Sequence, residues 1–264
     1  MKTAMMTNEQ IWKIAVEQSA VDCNCRPEDF FAEQGKVVPS VPDPKARKYL
    51  PLPFECDMTS YGNCIIAQTS RQLAPIAEKY IQMYPVAHAF ETPNLHALDD
   101  MLRPFGMKVC FMAEYFLPDV NALEEIPCKY PTKILYPEDF SDLYLPQWSN
   151  ALCEKRKQLD AIAVGAYDGE TLIGLAGASA DCENMYQISI DVLPAFRRQG
   201  IAAALTSRLA LEIFKLGKVP FYCAAWCNLA SVRNAVKCGF RPAWVEMTAR
   251  SSEFVDAMNK GDEK

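Results

Sequence analysis

Apolar and polar side chains alternate along residues 185–192 (MYQISIDV), with Ile188, Ile190 and Val192 on one side, the period-two pattern of a half-buried strand. Pro194 ends it. Beyond the proline, Ile201, Leu205, Leu209, Ile213 and Leu216 recur at helical spacing, and Ala202, Ala203 and Ala204 add strong helix formers. This predicts a helix over 201–216, capped by Gly217. The apolar run at 220–226 (PFYCAAW) has the length of a strand, Asn228 opens a short helix that closes near Gly239, and a last strand is expected over 243–249. Upstream, 161–167 and 171–178 read as a hairpin through Asp168-Gly169. A helix over 147–159 carrying Trp148, Leu152 and Leu159 precedes them.

The N-terminal half follows a similar order. A helix over 6–23 places Ile11, Ile14, Ala15 and Val21 on one side, and 39–53, with Pro39, Pro42, Pro44, Pro51 and Pro53, is an extended connector. Next come a strand at 64–68, a helix over 71–84 burying Leu73, Ile76, Ala77, Tyr80 and Ile81, and a short strand at 87–90. Asn94-Leu95 opens a short helix, Gly106 follows, and a strand runs over 108–116. Asn228-Leu229, Gly239 and the strand at 243–249 repeat that spacing. The segment 118–146, rich in proline, is the passage between two modules, expected at 1–125 and 126–264.

The junction at 192–202 carries the candidate chemistry. The first amides of a helix have no partner inside it and the helix dipole adds positive charge there, so an anion meets several aligned donors. Gly200 and Ala202 leave the backbone open to a diphosphate, and Arg197 and Arg198 bring charge suited to phosphate. In the first half, Thr69-Ser70-Arg71 joins strand to helix without such a run.

Val192-x-Pro194-x-x-Arg197-x-x-Gly200-x-Ala202, the Asn228-x-x-Ser231 turn after a strand, and Lys237-x-Gly239-Phe240 together resemble the GNAT family of N-acetyltransferases over about residues 160 to 248. The resemblance implies an α/β (α+β) fold, a mixed and mostly antiparallel sheet flanked by helices and splayed between two strands, with acetyl-CoA in the opening. With the internal spacing, it suggests two tandem modules, the first degenerate. In this likeness the backbone at Val192 holds the acyl and pantetheine end. Arg197, Arg198, Gln199, Gly200, Ile201, Ala202 and Ala203 form the pyrophosphate loop, and Asn228 and Ser231 touch the pantetheine or phosphate side. Direct attack of an amine, on a small molecule or a protein, on the thioester follows.

Composition narrows the partners. Half of the 264 residues are hydrophobic, enough for one large core or two ordinary ones, and a net charge of −6 argues against a general nucleic-acid binder. Residues 1–10 lack a secretion signal and no stretch reaches the about 18 apolar residues of a membrane span, so a cytoplasmic protein is expected. The eleven cysteines are irregularly spaced and are expected as thiols; Cys23-x-Cys25 and Cys223-x-x-x-Cys227 have no histidine nearby, and no metal is expected.

An attacking amine must lose a proton, and the departing thiolate must gain one or be stabilised. Many GNAT relatives place a Glu on the strand before the Asn turn and a Tyr seven residues after that Asn; here those positions hold Cys223 and Ala235. Acid and base then come from elsewhere, or water carries the proton, or the chain is a non-catalytic acyl-CoA-binding regulatory protein. The candidates are Asp191 beside the acyl site, Glu246 on the last strand and Tyr186, followed by Glu183 and Tyr222.

Overall fold

The computed structural model describes residues 6–261; residues 1–5, part of the segment read for a secretion signal, and residues 262–264 lie outside the described residues. In chain order the elements are α1 (Asn8–Asp22), β1 (Lys36–Pro39), β2 (Cys56–Ser60), β3 (Ile65–Thr69), α2 (Ala74–Met83), α3 (Thr92–Leu102), β4 (Met107–Pro118) and β5 (Thr132–Leu135). They continue with β6 (Asp160–Asp168), β7 (Thr171–Ser179), β8 (Met185–Val192), α4 (Ile201–Lys215), β9 (Val219–Ala224), α5 (Leu229–Lys237), β10 (Phe240–Ser251) and α6 (Ser252–Lys260). No helix among the described residues is long and apolar enough to cross a membrane.

Two compact units form, and neither is a continuous stretch: unit I takes Met1–Ala15 with Tyr115–Pro242, unit II takes Val16–Glu114 with Ala243–Lys264. The division expected at 125/126 therefore differs from the one observed. Alternation along the last strand predicts that it is half-buried but not which strand it pairs with. Residues 245–249 of β10 pair antiparallel with β2, far upstream in sequence.

In unit I the strands run β4-β9-β8-β7-β6-β5, with β5 to β8 antiparallel in succession and β8 parallel to β9. The parallel step needs a crossover, and α4 supplies it. Ile201, Leu205, Leu209 and Ile213 are buried in the spacing that the sequence predicts, while Leu216 lies past the helix end and is exposed. The hairpin turns at Gly169 as expected. The passage at 118–146 is more ordered than a connector, since it contains the edge strand β5.

The helix expected over 147–159 does not form. The segment makes two short 3-10 turns, Pro146–Trp148 and Glu154–Leu159, because distant carboxylates take its amides. Asp191 accepts from Asn150 N at 2.9 Å, Ala151 N at 2.9 Å and Asn150 Nδ2 at 2.8 Å, and Asp160 accepts from Cys153 N at 3.0 Å. Such side-chain bonds compete with helical ones. The same loop lies directly on β7, where a Cβ at Gly177 would stand 1.9 Å from the Ala151 carbonyl oxygen.

In unit II the strand order is β1-β3-β2-β10-β4, and the helices α2 and α3 cover an apolar core of Met58, Ile65, Tyr80, Leu98, Leu102 and Met247. From β3 the chain runs helix, helix, glycine, strand, whereas from β8 it runs helix, strand, helix, glycine, strand, so the two halves share this order except for β9; Gly106 and Gly239 both have positive φ. The strand expected at 87–90 is instead a 3-10 turn, Val86–His88. The His88 carbonyl accepts from Asn94 Nδ2 and from Glu91 N, which bends the chain between Pro85 and Pro93.

A polar centre is buried in unit II. Arg47, 1% exposed, pairs with Asp22 at 2.7 Å and lies over the Trp244 ring at 5.0 Å; Trp244 stacks on Tyr61. Asp57 accepts from Thr248 Oγ1 at 2.7 Å, and burial, reinforced by the charge of Glu246, pushes its carboxyl up to about 7. A carboxyl raised by folding binds its proton more tightly in the native state, so its contribution to stability is full below about pH 4 and is lost as pH rises to about 7.

Two outcomes are expected. Asp57→Asn removes that loss, so the stability of the variant relative to the parent rises between about pH 4 and pH 7, measured by urea unfolding. Gly177→Ala forces the 149–153 loop off β7 and destabilises by roughly 2 kcal/mol or more, seen as a lowered denaturation midpoint.

Candidate functional site

The site begins where two parallel strands stop pairing. β8 and β9 match Met185 with Val219 through Ile188 with Tyr222, and the recorded register ends there, although β8 continues to Val192 and β9 to Ala224. Between the unpaired ends lies a cleft of about 730 Å³, lined by residues of β8, β9, the 197–202 loop and α5. All of its lining residues belong to unit I.

The loop from β8 into α4 has two left-handed residues, Arg198 with φ 62° and Gly200 with φ 81°. The arginine is unusual there, and such backbone is held in place by its surroundings. One support is Arg197, whose Nε donates to the Val192 carbonyl at 3.0 Å and ties the loop to the strand end. Arg197 lines the cleft, and this bond also gives it a structural part. Another support is Gln199, which accepts from Tyr130 Oη at 3.0 Å.

Gly200 caps α4 without a side chain, and the first amide to bond within the helix is Ala204, to the Gly200 carbonyl. The amides of Ile201, Ala202 and Ala203 are thus left for a ligand. The Ile201 and Ala203 side chains are buried, so these residues offer backbone only; Ala202 and Arg198 line the cleft. No atom lies within 4 Å of a Cβ built at Gly200. Glycine is required there by its φ and by the approach of a ligand, not by packing.

On the other wall, Asn228 caps α5 by accepting from Ser231 N at 3.3 Å, which brings the two residues together as expected. Ser231 Oγ is 2.9 Å from Tyr222 Oη. Burial raises the Tyr222 hydroxyl above its ordinary pKa, against the lowering effect of Ser231 and Asn234, so it keeps its proton at neutral pH. Asn234 Nδ2 also donates to Thr206 Oγ1 at 3.0 Å and links α5 to α4. Cys223 lines the cleft with Gln187 Nε2 3.2 Å from its sulfur, and Ala235 is buried.

The three leading acid–base candidates are not brought together. Asp191 reaches the cleft, but both its oxygens hold the 150–151 backbone and the Asn150 side chain. Tyr186 is half-buried on β8 and is not among the lining residues. Glu246 belongs to unit II, where it accepts from Trp244 Nε1 at 2.9 Å and stands 3.9 Å from Arg47. Glu183 is exposed in the loop before β8. The contact between Tyr222 and Ser231, nine residues apart, has no sequence signal beyond the fact that a strand and the next helix start share one corner.

Residues 121–243 match the family described as GNAT acetyltransferase. That likeness takes in the cleft, the loop before α4 and α5. Among solved structures, a GNAT-family protein from Novosphingobium aromaticivorans DSM 12444 is 17% identical over 55% of this chain and 66% of its own, with a TM-score of 0.44. A GNAT-family acetyltransferase from Colwellia psychrerythraea is 15% identical over 54% of this chain and 56% of its own, with a TM-score of 0.42. In both, less than two thirds of the relative's length is spanned. Salmonella typhimurium yncA, solved with its cofactor acetyl-CoA, is 17% identical over 46% of this chain and 94% of its own, with a TM-score of 0.32. No curated protein matches this sequence.

Within the stretch that matches the GNAT family, Gly200→Asp combines a strained φ with a negative charge at the loop amides. It is expected to weaken acetyl-CoA binding by about 100-fold or more, read by titration calorimetry. Unchanged affinity would remove the loop from the site.

Proposed function

We propose that the chain is an acetyl-CoA-dependent N-acetyltransferase acting on an amine of a small molecule or protein. The observation that carries this reading is the parting of β8 and β9 beside a helix start whose amides lack internal partners. The cleft reaches both walls of that opening, and the space at Gly200 leaves the loop amides approachable. Acetyl-CoA, when bound, supplies the acetyl group as a thioester.

The protein's own residues bind, orient and move protons. Amides of Ile201, Ala202 and Ala203, with Arg198, hold the diphosphate, and Arg197 and Gln199 keep the loop in shape. Asn228 fixes the start of α5 and with it Ser231. As the amine nitrogen bonds to the acetyl carbon and the C–S bond breaks, Tyr222 gives the proton on its Oη, at the cleft wall, to the departing sulfur, the part a tyrosine at 235 would play, and the proton shed by the amine passes to water, from which Oη is reprotonated. Asp191 orients the 150–151 backbone beside the acceptor.

Tyr222→Phe is expected to lower kcat by about 100-fold while changing acetyl-CoA affinity less than about threefold, measured by thiol release in the presence of an amine panel. Tight binding of acetyl-CoA with no thiol release from any amine would instead favour the acyl-CoA-binding regulatory reading, which Cys223 and Ala235 motivate.

A further inference from the structure

A second, smaller space lies beside the cleft, on the face of the unit I sheet turned away from α4. Gly174 of β7 faces Ile201 and Leu205 of α4, so Gly177 and Ser179, odd-numbered on the same strand, face away from that helix. Asp160 pairs opposite Ser179, and Ser179 opposite Gln187, which aligns three polar side chains across β6, β7 and β8. The 149–156 loop, held by Asp191 and Asp160, covers this row and leaves a pit of about 60 Å³. Asn150 and Ser189 line both the pit and the cleft, so the two are adjacent.

The pit presents acceptors and one net negative charge. Asp160 is only 4% exposed; its Oδ2 accepts from Cys153 N at 3.0 Å and Tyr144 Oη at 3.1 Å, and among the described residues Oδ1 receives no hydrogen bond. Ser179 Oγ is buried without a partner. The other charge on the wall, Arg156, is ion-paired with the fully buried Asp181. A buried carboxylate with an open oxygen next to an open hydroxyl calls for a compact cation with several N–H donors.

We propose that the pit is an ammonium subsite that receives the cationic end of an unbranched primary amine. The volume holds about two waters, or an ammonium with one or two carbons, and it rejects branched and quaternary cations by size. Asp160 Oδ1 supplies the charge, and the Ser179 and Ser189 hydroxyls take the remaining N–H groups. Burial lifts the Asp160 carboxyl to about 6, opposed by its bonds to Cys153 N and Tyr144 and by Arg156, and assisted by Asp181. Binding therefore strengthens as pH rises through about 6. The assignment rests on the acetyltransfer reading only in identifying the guest as an acceptor whose other end carries the attacking amine, since a nitrogen held as ammonium has no lone pair for the thioester.

The test uses the full chain without turnover: ethylammonium chloride titrated by heteronuclear NMR and thermal shift, beside tetramethylammonium chloride and n-propanol, with acetyl-CoA affinity measured separately. Saturable ethylammonium binding is expected, with little from either control. Asp160→Asn should weaken it about tenfold or more, and Ser179→Val, which fills the pit, should abolish it with acetyl-CoA affinity retained. Should Asp160→Asn fail to fold, Ser179→Val decides. Normal acetyl-CoA binding without ethylammonium binding, or equal binding of tetramethylammonium, overturns the subsite and leaves the transferase reading standing. Ethylammonium binding without acetyl-CoA binding supports the subsite and sinks the transferase reading.

Discussion

Everything proposed for unit I depends on a limit to one hydrogen-bonded ladder. β8 and β9 pair over four residues, from Met185 with Val219 to Ile188 with Tyr222. Past that point each backbone has polar groups that its neighbour no longer satisfies, and burial without partners would cost of the order of 1–3 kcal/mol each. A ligand able to exchange hydrogen bonds along a strand end is the natural complement. The crossover helix α4 starts at the same edge, so one opening meets strand backbone and uncapped helix amides together.

Much of this was legible in the chain because it is local. Residues 185–192 alternate and form β8 at those bounds; the i, i+4 apolar series from Ile201 forms α4; Asn228 caps α5 through its own side chain. Each signal is complete within a few residues of itself. The elements misread are those settled by distant partners. Residues 147–159 carry apolar positions suited to a helix, but Asp191, about 40 positions on, draws their amides away. Residues 87–90 are too short for periodicity to decide, and Asn94 closes a turn over them.

The same limit separates the donor half of the candidate site from the acceptor half. Arg198, Gly200 and Ala202 were visible as a motif, since the physics of a helix start needs only a loop and a helix. Asp160, Ser179 and Gln187 come from three strands, and only the pairing register aligns them. In sequence, Asp160 and Asp191 are two aspartates at strand ends; in space one holds a loop with both oxygens and the other keeps an oxygen open. Arg197 adds a part that the motif does not announce: its Nε ties the loop to its strand.

The loop over the polar row is fastened through main-chain amides at 150, 151 and 153. A carboxylate that grips N–H groups does not distinguish one residue from another; at 153 it excludes only proline, which has no N–H to offer. The anchor and the display are thereby separated. Apart from Asn150, whose Nδ2 also bonds to Asp191, side chains facing the acceptor from this loop are free to change over evolutionary time without loosening it, and a new preference in guest can arise on an unaltered frame.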